Sequence, residues 1–268
     1  MRLRLEHTTR YHYTEPLKHA IQTLCLTPRT SAHQAVEQWQ VSGPGRLFAS
    51  TDGFGNPTHT CTLMRRVTHG QVKAHGIVRT KACAWLLDEP DMAPPWVYLR
   101  PTDLAAADTA LADWARGILA APHGGDPLRW LALAGAVCER VRYEPGRTSV
   151  HTTAPQAFER GSGVCQDQAH VFVAACRSQG LPARYVSGYF HAPHAEALAS
   201  HAWAEVCTDA HAGRWLSVDV THRCPIDERH VRLAVGPDYA ACPPVRGVRT
   251  GGGEERMEVT VRVSVEPA

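Results

Sequence analysis

"GSGVCQDQAHVFVAACRSQGLPARYVSGYF", residues 161–190, holds the change of period that decides the fold. Ala169, Phe172, Val173 and Cys176 recur at the spacing of one helical face, and Gly180, Leu181 and Pro182 then supply a positive-φ stop, an apolar contact and a breaker. After them "ARYVSGYF" (183–190) reads as a strand. Cys165 therefore falls in the first turn of a helix, where unpaired backbone N–H groups and the helix dipole favour a thiolate. Thiols so placed can fall from roughly 8.5 to about 3.5–7.5 in pKa. Gly161 and Gly163 permit a close approach to the sulfur, which makes Gly163 a candidate substrate contact.

A thiolate nucleophile needs a base and a group to orient that base. "HAWAEVC" (201–207) and "RWLSVDV" (214–220), joined by "TDAHAG" (208–213), read as successive antiparallel strands. A turn near Ala210 sets His201 across from Asp219, Trp203 across from Ser217 and Glu205 across from Trp215. Directly opposed residues project to one side, so the Asp219 carboxylate can accept the His201 N–H and fix its tautomer. Chain order Cys, His, Asp thus predicts Cys165 as nucleophile, His201 as base and Asp219 as orienting acid. Backbone N–H groups of Cys165 and Gln166, or the Gln166 side chain, are candidates for an oxyanion hole. Trp203 is packing beside the site or an aromatic wall for a substrate chain. Asp167 suits the helix dipole, and His170, five residues on from Cys165, points away from it.

Outward from this segment, the 268 residues carry 28 basic and 26 acidic side chains, so no global field recruits nucleic acid or an anionic membrane. The first residues lack the continuous apolar run of a signal peptide or membrane span, so a cytoplasmic setting is expected. Nine cysteines, odd in number and without CxxC spacing, indicate reduced thiols and no zinc ribbon. "HAPHAEALASH" (191–201) brings together His191, His194 and His201, but its proline and irregular spacing define no ligand geometry. Neither a metal nor another cofactor is expected.

Residues 1–90 are β-rich: apolar and polar residues alternate from Leu3 to Tyr13, and "TDGFGNPTH" (51–59) is a tight connection between strands. Pro90, Pro94, Pro95 and Pro101 mark a linker over 91–102. A catalytic domain over 103–245 follows, with helices predicted from Leu104 to Leu119 and after an Asp126 cap and Pro127, and a third begun by a capping box at Thr153 and Gln156. The tail, 246–268, carries a strand in which Met257, Val259, Val261, Val263 and Val265 alternate with polar residues and which returns to the N-terminal sheet.

"GVCQDQAH", "GLPARYVSGYF", "SHAWAEV" and "WLSVDVTH", in that order, resemble the transglutaminase-like cysteine-enzyme superfamily, in its bacterial form with an N-terminal β domain. The resemblance extends to "RLRLEHTTRYHY" and "DGFGN" in front and to "DYAACPPVRGVRTGGG" near the end, nearly the whole chain. It implies an α+β fold with a papain-like, transglutaminase-like catalytic core of helices packed on an antiparallel sheet, and the triad Cys165, His201, Asp219. Gln168 stands where such relatives usually have an aromatic residue, and "DVTH" replaces the commoner Asp-Pro-Thr-Asn. The implied chemistry is acyl transfer from a peptide or protein amide: hydrolysis is the leading expectation, transfer of a glutamine acyl group to an amine the second, and a non-catalytic binding scaffold the third. The oligomeric state is not legible.

Overall fold

The computed structural model describes residues 1–88, 92–193 and 200–267. Its first sheet is built on one long strand, β1 (Arg2–Leu24), with β2 (Gln34–Ser42), β3 (Arg46–Thr51), β4 (Pro57–Leu63) and β5 (Val67–Thr80) in the order β2-β5-β1-β4-β3. Pro16, which has no N–H to donate, lies where the pairing of β1 with β5 shifts register. The "DGFGN" turn joins β3 to β4: the Asp52 carboxylate accepts from the backbone N–H groups of Phe54 and Asn56, and Gly55 takes φ 81°.

The chain leaves this sheet at Thr80, and β6 (Trp85–Leu87) already belongs to the second one. Four helices follow: α1 (Thr109–Ala120), α2 (Leu128–Arg140), α3 (Ala154–Arg160) and α4 (Cys165–Ser178). The first starts later than the expected Leu104, because the Asp108 carboxylate caps it by accepting from Leu111 N at 2.8 Å. The second begins after Pro127 with no side-chain cap, so Asp126 does not take the expected role. At α3 the Thr153 and Gln156 side chains cap reciprocally, at 3.3 and 3.0 Å. Two short parallel strands, β7 (Arg142–Tyr143) and β8 (Ser162–Gly163), tie the end of α2 to the approach to α4.

The second sheet takes β9 (Ala183–Phe190), β10 (Ser200–Asp209), β11 (Arg214–Asp219), β12 (Cys224–Pro225) and β13 (His230–Gly236), ordered β12-β11-β10-β9-β13, with β6 also on β11. Alternation divides its faces. Ala204, Val206, Leu216, Val218 and Val220 pack against Leu111, Leu133, Val137, Val171 and Phe172 of the helices. The opposite face carries a buried ionic group: Arg184 bonds Glu205 at 2.6 Å and Asp88 at 2.9 Å, and Arg232 bonds Glu205 at 2.9 Å. Buried charges persist when paired in this way.

The tail returns to the first sheet, with β14 (Val245–Gly251) along the second half of β1 and β15 (Glu255–Val265) along the first. Its alternation does not produce a dry face: Val261 is buried, but Met257, Val259 and Val265 are about half exposed, because β15 lies at the sheet's edge. The two sheets meet through Asn56, whose amide both donates to Val235 O at 2.7 Å and accepts from Val235 N at 2.8 Å. Leu3, Leu5 and Tyr11 also share a core with Tyr189, Val231 and Leu233. This is an α+β fold, β-rich in front, with helices packed on an antiparallel sheet behind. Among the described residues, no helix is long and apolar enough to cross a membrane.

Candidate active site

The site lies where the first turn of α4 meets the start of β10. Gly161, at φ 73°, ends α3, and Ser162 and Gly163 carry the chain into α4. The turn is braced by Asp167, whose Oδ2 accepts from Val164 N and from the Thr148 hydroxyl, both at 2.7 Å. Burial raises the Asp167 pKa, and these hydrogen bonds offset part of that effect. Asp167 thus holds the helix entrance and leaves Cys165, half-buried, at its mouth.

The β10–β11 register differs from the expected one by two residues. Glu205 faces Ser217 and Val206 faces Leu216, because the turn is centred one residue beyond Ala210: Asp209 caps the N–H groups of His211 and Ala212, and Gly213 takes φ 61°. A shift of two preserves the face of every side chain. His201 therefore reaches Asp219 diagonally, with Nε2 2.8 Å from Oδ2. The imidazole also hydrogen-bonds the Cys165 thiol, for which Nδ1 remains.

Electrostatics favour the charged ring. Burial, the strongest single influence, opposes charge on His201, but hydrogen bonds to Asp219 and Cys165 and their negative charge outweigh it and hold the pKa up at about 10. Burial likewise disfavours the Asp219 carboxylate, yet hydrogen bonds from His201, His222 and His230 keep it well below the usual carboxylate range. Sequence reasoning singled out neither His222 nor His230 as a partner of Asp219. His222 Nδ1 lies 2.7 Å and His230 Nε2 2.9 Å from Asp219 Oδ2. For His222 the signal was the departure at "DVTH"; His230 arrives from β13 and left none.

Two cavities meet at Cys165 and His201. One, of about 240 Å³, is completed by Tyr143, Phe190, Ser200, Thr221 and His222. The other, of about 320 Å³, adds Gln166, Val150, Tyr185 and Tyr239 among its walls. Gln166 opens onto this second cavity while its side-chain amide donates to Val150 O at 3.3 Å. The other two expected contacts line neither cavity. Trp203 is fully buried among Val186, Ile226 and Val235, its indole donates to Ser217 at 2.9 Å and its ring centroid lies 6.1 Å from that of His201, which is packing beside the site, the first of its two expected roles. Gly163 is buried as well; a Cβ there would lie 2.7 Å from the Asp167 carboxylate, so its small size makes room for that brace. His170 is buried, accepts from Tyr239 N at 3.1 Å and is pushed down to about 3 by burial. His194, of the histidine-rich loop, lies outside the described residues.

Residues 113–220 match the family described as the transglutaminase-like superfamily, and residues 3–79 match the bacterial transglutaminase-like N-terminal region. The chain belongs to the transglutaminase-like superfamily. An uncharacterized protein of Mycobacterium leprae is 29% identical over 98% of this chain and 98% of its own length. One of Mycobacterium tuberculosis is 29% identical over 99% of this chain and 93% of its own. The crystal structure of a candidate cysteine protease from Cytophaga hutchinsonii superposes with a TM-score of 0.77 at 19% identity, covering 98% of this chain and 90% of that one, which shows a shared fold.

Within this transglutaminase-like core, the two departures noted in the sequence are joined. Gln168 donates to Val141 O at 2.8 Å and accepts from the Thr221 hydroxyl at 2.7 Å, tying α4 to the turn after Asp219. That turn presents His222, whose ring stacks on Phe190 with centroids 4.4 Å apart.

Proposed function

We propose that the chain is a thiol-dependent amide hydrolase acting on peptide or protein substrates through Cys165, His201 and Asp219. The observation that carries this reading is the hydrogen-bonded series from the Cys165 thiol through the His201 ring to the Asp219 carboxylate. The hydrogen bonds to Asp219 and Cys165 that hold the His201 pKa up at about 10 fit the ring to take the Cys165 proton, which frees the sulfur to attack.

The sulfur forms a bond to the carbonyl carbon, and the carbonyl oxygen takes up the electron pair. The backbone N–H groups of Cys165 and Gln166, in the first turn of α4, are the donors for that oxyanion, since the Gln166 amide is already engaged with Val150. Collapse breaks the C–N bond as His201 gives its proton to the leaving amine. Water then attacks the thioester, His201 takes its proton, and the acid departs as the thiolate is restored. Amide and water are consumed, and acid and amine are formed. The nine free thiols support a reducing, cytoplasmic place of work.

Hydrolysis is favoured over amine transfer because water stands at ~55 M unless the site excludes it, and no lysine channel is legible in the sequence. Mass spectrometry of a peptide library incubated with and without a primary amine tests this. The expected products are carboxylic acids in both arms. Products carrying only the added amine would refute hydrolysis, and turnover by Cys165→Ala would refute the nucleophile.

A further inference from the structure

Orienting His201 requires one bond to Asp219, yet Oδ2 of that carboxylate lies 2.8 Å from His201 Nε2, 2.7 Å from His222 Nδ1 and 2.9 Å from His230 Nε2. The N–H vectors of His201 and His222 converge on a single oxygen. When those two protons leave, two nitrogen lone pairs and a carboxylate oxygen face a common point, and the three ligand atoms lie within 4.8 Å of one another. We infer that His201, Asp219 and His222 form a three-ligand site for a borderline-soft divalent cation, with zinc as the best match.

Two imidazoles and one carboxylate are a donor set suited to zinc, and bonds of about 2.0–2.1 Å in tetrahedral array place ligand atoms about 3.3 Å apart. The present N···O distances need to open by about half an ångström. His222 can provide that movement, since it sits on the turn after β11 with 41% of its side chain exposed. The fourth position falls to water from the cavity that His201 and His222 line together. The outer contacts are those a metal site uses: His230 holds Asp219 Oδ2 from behind and is itself fixed by Asp227, with Nδ1 3.0 Å from Oδ1. Gln168 anchors Thr221, the residue before His222.

Binding displaces the proton on His201 Nε2 and the one on His222 Nδ1, each passing to solvent or to the ring's other nitrogen, so acid competes with the cation. A His201 ring with zinc on Nε2 and a proton on Nδ1 cannot take the thiol proton, and cannot give up its own without becoming an imidazolate. The cation therefore silences Cys165. Only this consequence rests on the reading of Cys165 as nucleophile; the site itself stands on geometry.

The test uses chelator-treated full-length protein: wild type, Cys165→Ala and His222→Ala, titrated with zinc by calorimetry and with cobalt(II) by absorption, with circular dichroism confirming the fold of each. One equivalent of zinc should bind wild type and Cys165→Ala with equal affinity, and His222→Ala at least about tenfold more weakly. Cobalt should give tetrahedral ligand-field bands without a thiolate charge-transfer band. Absence of binding, unchanged affinity in His222→Ala, loss in Cys165→Ala or a thiolate band would each overturn the proposal. These readouts need no substrate, so a failure of amide hydrolysis leaves the cation result standing, and the reverse holds.

Discussion

Replacing Asp219 by Asn keeps the size of the side chain and removes its charge, which separates the electrostatic role of the carboxylate from its packing. The His201 pKa stands at about 10 against an ordinary 6.5, a preference for the charged ring of about 5 kcal/mol. Asp219 makes the stronger of the two hydrogen bonds that support this charge, and burial opposes it. Without the carboxylate, burial acts with little opposition, and the ring falls to the range of an ordinary histidine or below. The ring is then too weak a base to take the Cys165 proton. An unassisted thiol is ionised only to about 0.3% at pH 6, so alkylation at that pH should slow by roughly two orders of magnitude. Iodoacetamide labelling followed by peptide mass spectrometry resolves Cys165 from the other eight thiols. At pH 6 the Cys165 rate should be roughly a hundredfold higher in the wild type than in Asp219→Asn. An Asp219→Asn rate equal to that of the wild type would refute the electrostatic argument.

Glu205→Gln leaves Arg184 and Arg232 without their shared carboxylate and should cost about 3–5 kcal/mol, lowering the melting midpoint by roughly 10 °C in a thermal scan. Burial disfavours the Glu205 charge, but Arg232 and Arg184 draw its pKa down to about 2, so this stabilisation is present above the ordinary carboxylate range and is lost as pH falls through about 2. His201 has the opposite sign. Its folded pKa is raised, so its contribution is complete below about 6.5 and is lost as pH rises toward 10, which denaturant titrations of wild type and His201→Ala should show as a gap that closes over that window. Gly163→Ala drives a Cβ into the Asp167 carboxylate and should cost about 1–3 kcal/mol with a slower turnover; an unchanged melt with only KM altered would restore Gly163 as a substrate contact.

Much of this arrangement was legible in the sequence because local chemistry dictated it. The helix period after Cys165, the Gly180 stop, the reciprocal Thr153 and Gln156 cap and the alternation of the β10 and β11 segments all act over a few residues. The pairing of His201 with Asp219 emerged despite a register error of two, since such a slip leaves every side chain on its own face. What stayed hidden depends on contacts distant in the chain. Trp203 reads equally as packing or as a substrate wall until Val186, Ile226 and Val235 close over it, and His230 meets Asp219 only because β13 lies beyond β9 in the sheet. Asp108 replaced Leu104 as the start of α1 because a carboxylate cap outweighs the alanine-rich propensity upstream of it.

Covalent capture of the acyl group tests the central claim most directly. Wild type mixed with a peptide amide and quenched in acid should yield a thioester on the fragment containing Cys165, its mass raised by the acyl portion and reset by hydroxylamine, with no such adduct in Cys165→Ala. Turnover without any adduct on that fragment, or an acyl group carried by another residue, would contradict the account.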